Sequence, residues 1–198
     1  MQATIRGLLA CATVLLVGFV IAIGAVSAQD TMKPGDMKKD EMKKVDKAKA
    51  SPDSKFVEDA AMGGMAEVEL GKLAAEKATS ADVKQFAQRM VDDHSKANEE
   101  LSSLASSKGI TLPTAVDAKV QAHVEHLSKL SGAEFDQEYM KMMVSDHDKD
   151  VAEFEREANS GKDPDVKAWA SKTLPTLREH QTMAKSISTS TAGAKKTT

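Results

Sequence analysis

The sequence predicts an all-α protein, an antiparallel up-and-down four-helix bundle with one extra short helix between the second and third long helices. Three observations predict it. Only 4% of the 198 residues are aromatic and no run alternates like a strand, whereas Ala, Lys, Glu, Met and Leu are plentiful. Four stretches place apolar residues three and four apart, the spacing that gathers side chains on one stripe of an α-helix. Short connections join the paired stretches, which makes them antiparallel neighbours.

Residues 1–28 carry one basic residue, Arg6, then an apolar run from Gly7 to Val26 and the small-residue ending Val26-Ser27-Ala28. That order predicts a secretory signal peptide, cleaved on export to the periplasm or the cell exterior. The run approaches the roughly 20 residues that span a bilayer, so an uncleaved form would be anchored in a membrane. The single cysteine, Cys11, lies in this leader, so the mature chain has neither a disulfide framework nor a thiolate metal site. Residues 29–52 repeat a Met-Lys-Asp theme with Met32, Met37 and Met42 at equal spacing. Thioethers in that pattern are donors for Cu(I). The surrounding charge makes the stretch too polar to bury anything, and a disordered linker is expected.

The bundle is expected over 53–187. Its first helix, about 53–79, lines up Phe56, Ala60, Gly63, Leu70 and Ala74, with Glu67 on the same stripe. Gly63-Gly64 inside it costs roughly 1 kcal/mol per glycine relative to alanine, which a close helix approach or a kink would explain. The second helix, about 81–108, starts after Ser80 as N-cap and stops at Gly109. His94 lies on its apolar stripe between Met90 and Ala97. After the loop Ile110-Thr111-Leu112-Pro113, a short helix runs from Val116 to Leu130, with His123 and His126 expected in solvent. The third long helix, about 133–159, carries Phe135, Tyr139, Met143, His147, Val151 and Phe154 down one face. Gly161-Lys162-Asp163-Pro164 turns the chain into the fourth helix, with Val166, Trp169, Leu177, His180, Ala184 and Ile187. Pro175 removes a backbone donor there and predicts a kink or restart. The tail, 188–198, is rich in Ser and Thr and is expected to be disordered. A faint echo relates Asp82-Val83-Lys84-Gln85-Phe86-Ala87 to Asp165-Val166-Lys167-Ala168-Trp169-Ala170, as if two helix hairpins were related by a pseudo-twofold.

Each long helix thus places one ionisable residue, Glu67, His94, His147 or His180, near its middle on an otherwise apolar stripe. At 1.5 Å per residue, small offsets in position amount to about 4 Å along the axis, so the four side chains should meet in one layer. Three imidazoles and a carboxylate suit a divalent transition metal such as Fe, Zn, Mn or Cu. Each histidine follows an acid, in Asp93-His94, Asp146-His147 and Glu179-His180. Successive helix positions diverge by about 100°, so each acid would orient a histidine on the adjacent helix rather than its own neighbour. Tyr139, two turns before His147, is expected in the core, where a redox-active tyrosine beside a metal would also sit. The alternative for the whole cluster is a buried hydrogen-bond network that fixes helix register.

Several motifs in fixed order carry a resemblance. These are Gly63-Gly64-Met65-Ala66-Glu67-Val68-Glu69-Leu70, Phe86-Ala87-Gln88-Arg89-Met90 with Asp93-His94, Phe135-Asp136 and Tyr139-Met140 with Asp146-His147, and Leu174-Pro175 with His180. Over about 54–186 the chain resembles the exported bacterial proteins grouped as domain of unknown function 4142. The resemblance implies a ferritin-like bundle and export, with no settled activity. Ferritin-like di-iron proteins use a Glu-x-x-His motif on two helices. Here Val91 and Leu177 stand three residues before His94 and His180, so that motif is absent and oxygen-activating di-iron chemistry is not expected.

Function classes narrow accordingly. Net charge is −3 with both signs interspersed, which excludes a nucleic-acid partner from expectation and names no protein partner. No Ser or Cys nucleophile stands with a base, so a hydrolase is not expected. The two readings left are a metal-binding envelope protein and a non-catalytic structural or stress-related one. Without metal, the buried histidines are expected to protonate below about pH 6 and loosen the fold.

Overall fold

A computed structural model describes residues 51–194, and the expected signal peptide and nearly all of the expected linker lie outside those residues. All regular structure among the described residues is helical: α1 (Pro52–Lys77), α2 (Ala81–Lys108), α3 (Ala118–Ser128), α4 (Gly132–Ser160) and α5 (Pro164–Ala194). Three boundaries have a local cause. Ser51 accepts the Ser54 amide at 3.0 Å with Pro52 as the first helical residue of α1. Gly109 ends α2 in the left-handed conformation, φ 66°, its amide bonded back to Ser106. Asp117 caps α3 by accepting from the Val120 amide at 2.9 Å. No helix among the described residues is long and apolar enough to cross a membrane.

The helices form a four-helix bundle of ferritin-like type made of two hairpins, α1 with α2 and α4 with α5. Each hairpin is antiparallel, as the short turns predict. The hairpins are joined differently from an up-and-down bundle. Ile110, just past α2, packs at one end with Phe56, Leu101, Phe154 and Trp169. Leu127 of α3 packs at the other end with Leu70, Phe86, Phe135 and Tyr139. The α3 segment therefore carries the chain back along the bundle, and α2 and α4 run in the same direction. That is the single long crossover of ferritin-like topology. The Glu67/His94/His147/His180 layer separates the two apolar clusters, each of its members falling between the residues its helix gives to either cluster.

The pseudo-twofold has a structural counterpart. Asp53, at the start of the first hairpin, accepts from the Lys162 amide at 2.9 Å and from that of Asp163, capping the turn of the second. Asp136, at the start of the second hairpin, accepts from the Thr79 amide at 3.0 Å, the Thr79 hydroxyl at 2.7 Å and the Ser80 amide at 2.8 Å, capping the turn of the first. Both carboxylates are buried and hold the otherwise orphaned donors of a helix start. The register that pairs Asp82 with Asp165 also pairs Asp53 with Asp136, Phe56 with Tyr139 and Glu67 with Asp150.

Two local expectations change. Helix α5 continues through Pro175, and it extends to Ala194, into the stretch assigned to a disordered tail. The Thr189 hydroxyl bonds back to the Lys185 carbonyl and that of Thr191 to Ile187, while Gln137 donates to the Thr191 carbonyl at 3.0 Å, so side chains and a neighbouring helix hold the last turns. The glycines of α1 divide by face. A Cβ at Gly63 would meet nothing within 4 Å, one at Gly64 would strike the Asn98 side chain, and one at Gly71 would press the Val91 methyl at 3.0 Å and the Ala87 carbonyl oxygen at 3.1 Å. The close approach of α1 to α2 therefore needs Gly64 and Gly71. We expect Gly63→Ala to stabilise the protein by about 1 kcal/mol through helix propensity and Gly71→Ala to destabilise it. Urea midpoints check this ordering, and equal shifts at both positions would contradict it.

Candidate metal centre

The bundle brings together all four residues that its stripes predict. Glu67 is 4% exposed, His94 6%, and His147 and His180 0%, so the layer is shut off from solvent. The three imidazole centroids form a triangle with sides of 5.8, 5.3 and 5.4 Å. One ligand atom from each ring lies within 4.8 Å of those of the other two.

Each ring is held through one nitrogen. His94 Nδ1 donates to Glu67 Oε2 at 2.9 Å. His147 Nδ1 donates to the Met143 carbonyl, one turn earlier on α4, at 3.0 Å. His180 Nε2 donates to Asp93 Oδ2 at 2.8 Å. The acceptors assign the tautomers, since a carbonyl or carboxylate oxygen calls for an N–H on the nitrogen facing it. The other nitrogens, His94 Nε2, His147 Nε2 and His180 Nδ1, are buried without a protein partner, as is Glu67 Oε1. In the neutral ring, His147 Nε2 turns a lone pair toward Glu67 Oε1 at 3.4 Å. Two acceptors at that distance repel unless a cation lies between them.

The electrostatics follow from burial and charge. Burial alone would raise the Glu67 carboxyl, but the charge and hydrogen bond of His94, with His147 and His180 behind, hold it down at about 2. Burial likewise works against a charge on His94, and the facing Glu67 overcomes it, raising His94 above its ordinary value. His180 goes the other way. Burial and the neighbouring His94 and His147 outweigh the Asp93 hydrogen bond and leave it at about 4.

Of the acids preceding the histidines, Asp93 alone meets one, on the helix adjacent to its own. Arg89 donates to Asp93 at 3.1 Å and also to Glu179. Glu179 therefore reaches the layer only through Arg89 and Asp93. Asp146 pairs with Lys149 at 3.3 Å and lines a cavity, with no hydrogen bond to a histidine among the described residues. Tyr139 is fully buried, its hydroxyl without a partner and its ionisation pushed up by burial and by the Glu67 charge.

Two residues take places that the sequence did not predict. His123 is half-buried in the wall of the cavity between α1, α3 and α4, whereas His126 is exposed as expected. Asp150, unremarked in the sequence, forms with Glu67 and His147 a second group whose ligand atoms lie within 4.8 Å of one another. Burial and the nearby Glu67 and Asp146 push its carboxyl well above the ordinary carboxylate range. The helical spacing of Asp150, one turn after His147, is the signal that could have found it.

A family model described as "Domain of unknown function (DUF4142)" matches residues 38–187, taking in the end of the expected linker. Solved structures share the fold. The crystal structure of a DUF305 fragment from Deinococcus radiodurans is similar with a TM-score of 0.61 at 16% identity, covering 70% of this chain and 96% of that one. A DUF305 protein from Streptomyces coelicolor, described as secreted, gives 0.60 at 14% identity over 72% and 94%. CopM in its Cu(II)-bound form gives 0.56 at 14% identity over 70% and 96%. At such identities the likeness is one of fold. No curated protein matches the chain.

Proposed function

This chain belongs to the DUF4142 family, whose description assigns no activity, and from that premise we propose that it is an exported protein whose bundle binds a divalent transition metal through His94, His147 and His180, with Glu67 supplying negative charge. The carrying observation is that all three buried histidines have one nitrogen fixed on an oxygen and the other without a protein partner. A self-sufficient hydrogen-bond network would pair those nitrogens, since each unpaired buried group costs about 1–3 kcal/mol. Metal-binding histidines are characteristically oriented by such oxygen acceptors.

Fe, Zn, Mn and Cu all accept imidazole and carboxylate donors, and the nitrogen-rich set favours Cu and Zn over Mn. The Cu(II) in the similarly folded CopM agrees with that preference. Bound there, the metal would make the protein a sensor, a store or a simple redox centre of the cell envelope. Export follows from the leader at 1–28, in keeping with a secreted relative in fold.

The test is elemental analysis of the protein purified without an affinity tag or chelator, beside the His94→Ala/His147→Ala double variant. We expect about one equivalent of transition metal per chain, lost in the variant. No metal in either, even after incubation with Cu(II) or Zn(II), would leave a structural bundle.

A further inference from the structure

Resting on that metal-binding reading, the second ligand group bears on how an ion reaches the layer. Glu67 and Asp150 line a cavity of about 210 Å³ between α1, α3 and α4, whose wall also carries Asp117, His123 and Asp146. Glu67 Oε1 and His147 Nε2, both deeply buried and without hydrogen-bond partners, belong to residues of this group. Asp150 is the residue that the pseudo-twofold register pairs with Glu67, so corresponding positions of the two hairpins supply the two carboxylates.

His147 belongs to both the three-histidine group and the Glu67/Asp150 group. Its Nδ1 is tied to the Met143 carbonyl, which leaves Nε2 as its one free donor. A ring nitrogen has one lone pair, so the two groups cannot both be filled through His147. We infer that the centre takes one divalent cation with two alternative positions: an outer one at Glu67, Asp150 and His147, where the ion loads from the cavity, and an inner one among the three histidines. The donor types support this order. Carboxylate oxygens accept many divalent ions, whereas imidazoles select the later transition metals, so the outer position captures and the inner one discriminates. The wall carries four carboxyl groups, Glu67, Asp117, Asp146 and Asp150, against two lysines, Lys119 and Lys149, and that acid excess raises the local cation concentration.

The experiment follows uptake of Co(II) from cobalt chloride by the metal-free full-length protein, in stopped flow, through the absorption bands of nitrogen-ligated Co(II). We expect one equivalent in the wild type. Asp150→Asn should slow the appearance of the bands on the order of tenfold while leaving the final spectrum unchanged. Gly63→Phe tests the route independently: Gly63 lines the cavity and a Cβ there meets nothing within 4 Å, so the ring should obstruct access without disturbing the bundle. Two equivalents in the wild type, unchanged rates in both variants, or a changed final spectrum in Asp150→Asn would overturn the two-position inference and leave the metal-binding reading standing. A wild type that takes up no Co(II) would overturn this inference, and metal analysis of the protein as purified would then decide whether the broader reading falls with it.

Discussion

Glu67→Gln is expected to destabilise the metal-free protein by about 3–5 kcal/mol at pH 7, the usual cost of removing one partner from a buried ion pair. Glu67 faces His94 at 2.9 Å and His147 at 3.4 Å, and its side chain is only 5% exposed. The amide keeps the shape and loses the charge that raises His94, leaving three imidazoles with no anion inside the layer. Replacing both partners, as Glu67→Leu/His94→Leu, should recover a large part of the loss, because the desolvation cost of the pair then disappears with its attraction. Urea unfolding of the two variants in chelator makes the comparison. A loss below about 1 kcal/mol in Glu67→Gln would mean that the carboxylate is not a buried counter-charge. The same residue sets an acid limit. Its carboxyl sits at about 2 against an ordinary 4.5, so its stabilisation is present above pH 4.5 and is lost as pH falls from there toward 2.

The sequence was most informative where one helix alone decides the outcome. The stripe spacing placed Glu67, His94, His147 and His180 in the core because a helix carries only one buried face, and a polar residue in the middle of that face has nowhere else to go. Gly109 marked the end of α2 for an equally local reason, whereas Ser80 stands at the N-cap without a side-chain capping bond and has its amide held by Asp136 of the other hairpin. What depended on relations between helices was harder to read. Asp150 lies in Asp146-His147-Asp148-Lys149-Asp150, which looks like a solvated charge run until α1 packs against it and brings Glu67 near. The direction of α4 relative to α2 depended on α3 crossing the length of the bundle, which a helix of its size does not announce. Asp53 and Asp136 read as ordinary first-turn acids, yet each caps the other hairpin's turn. Up to Ala194 the expected tail is helical instead, because Ser and Thr favour disorder in isolation but here their hydroxyls bond to carbonyls of the preceding turn, and residues 195–198 lie outside the described residues.

The second large effect concerns pH, and here the histidines do not act alike. His180 is held at about 4 against an ordinary 6.5, so below pH 6.5 the unfolded chain takes up a proton that the native one refuses. Stability should therefore fall by about 3 kcal/mol between pH 6.5 and 4, at about 1.4 kcal/mol per pH unit. His94 is raised by Glu67, and its contribution has the opposite sign: fully present below pH 6.5, it is lost as pH rises through the higher native value. The metal-free protein should then be most stable near pH 6.5 and lose stability on both sides, rather than loosening only in acid. Urea midpoints in chelator from pH 8.5 to 4 test this, and two variants probe the acid limb. His180→Gln should flatten the acid limb. Asp93→Asn should extend that limb to lower pH, because the hydrogen bond that His180 donates to Asp93 is what keeps His180 from falling further. A midpoint that stays level across the whole range would place the three rings in a solvated setting and contradict the closed layer. Bound metal should add stability at neutral pH and release it in acid, as protons displace it from the imidazole nitrogens. A difference between metal-loaded and metal-free midpoints that vanishes between pH 7 and 5 would tie that stability to the same three side chains.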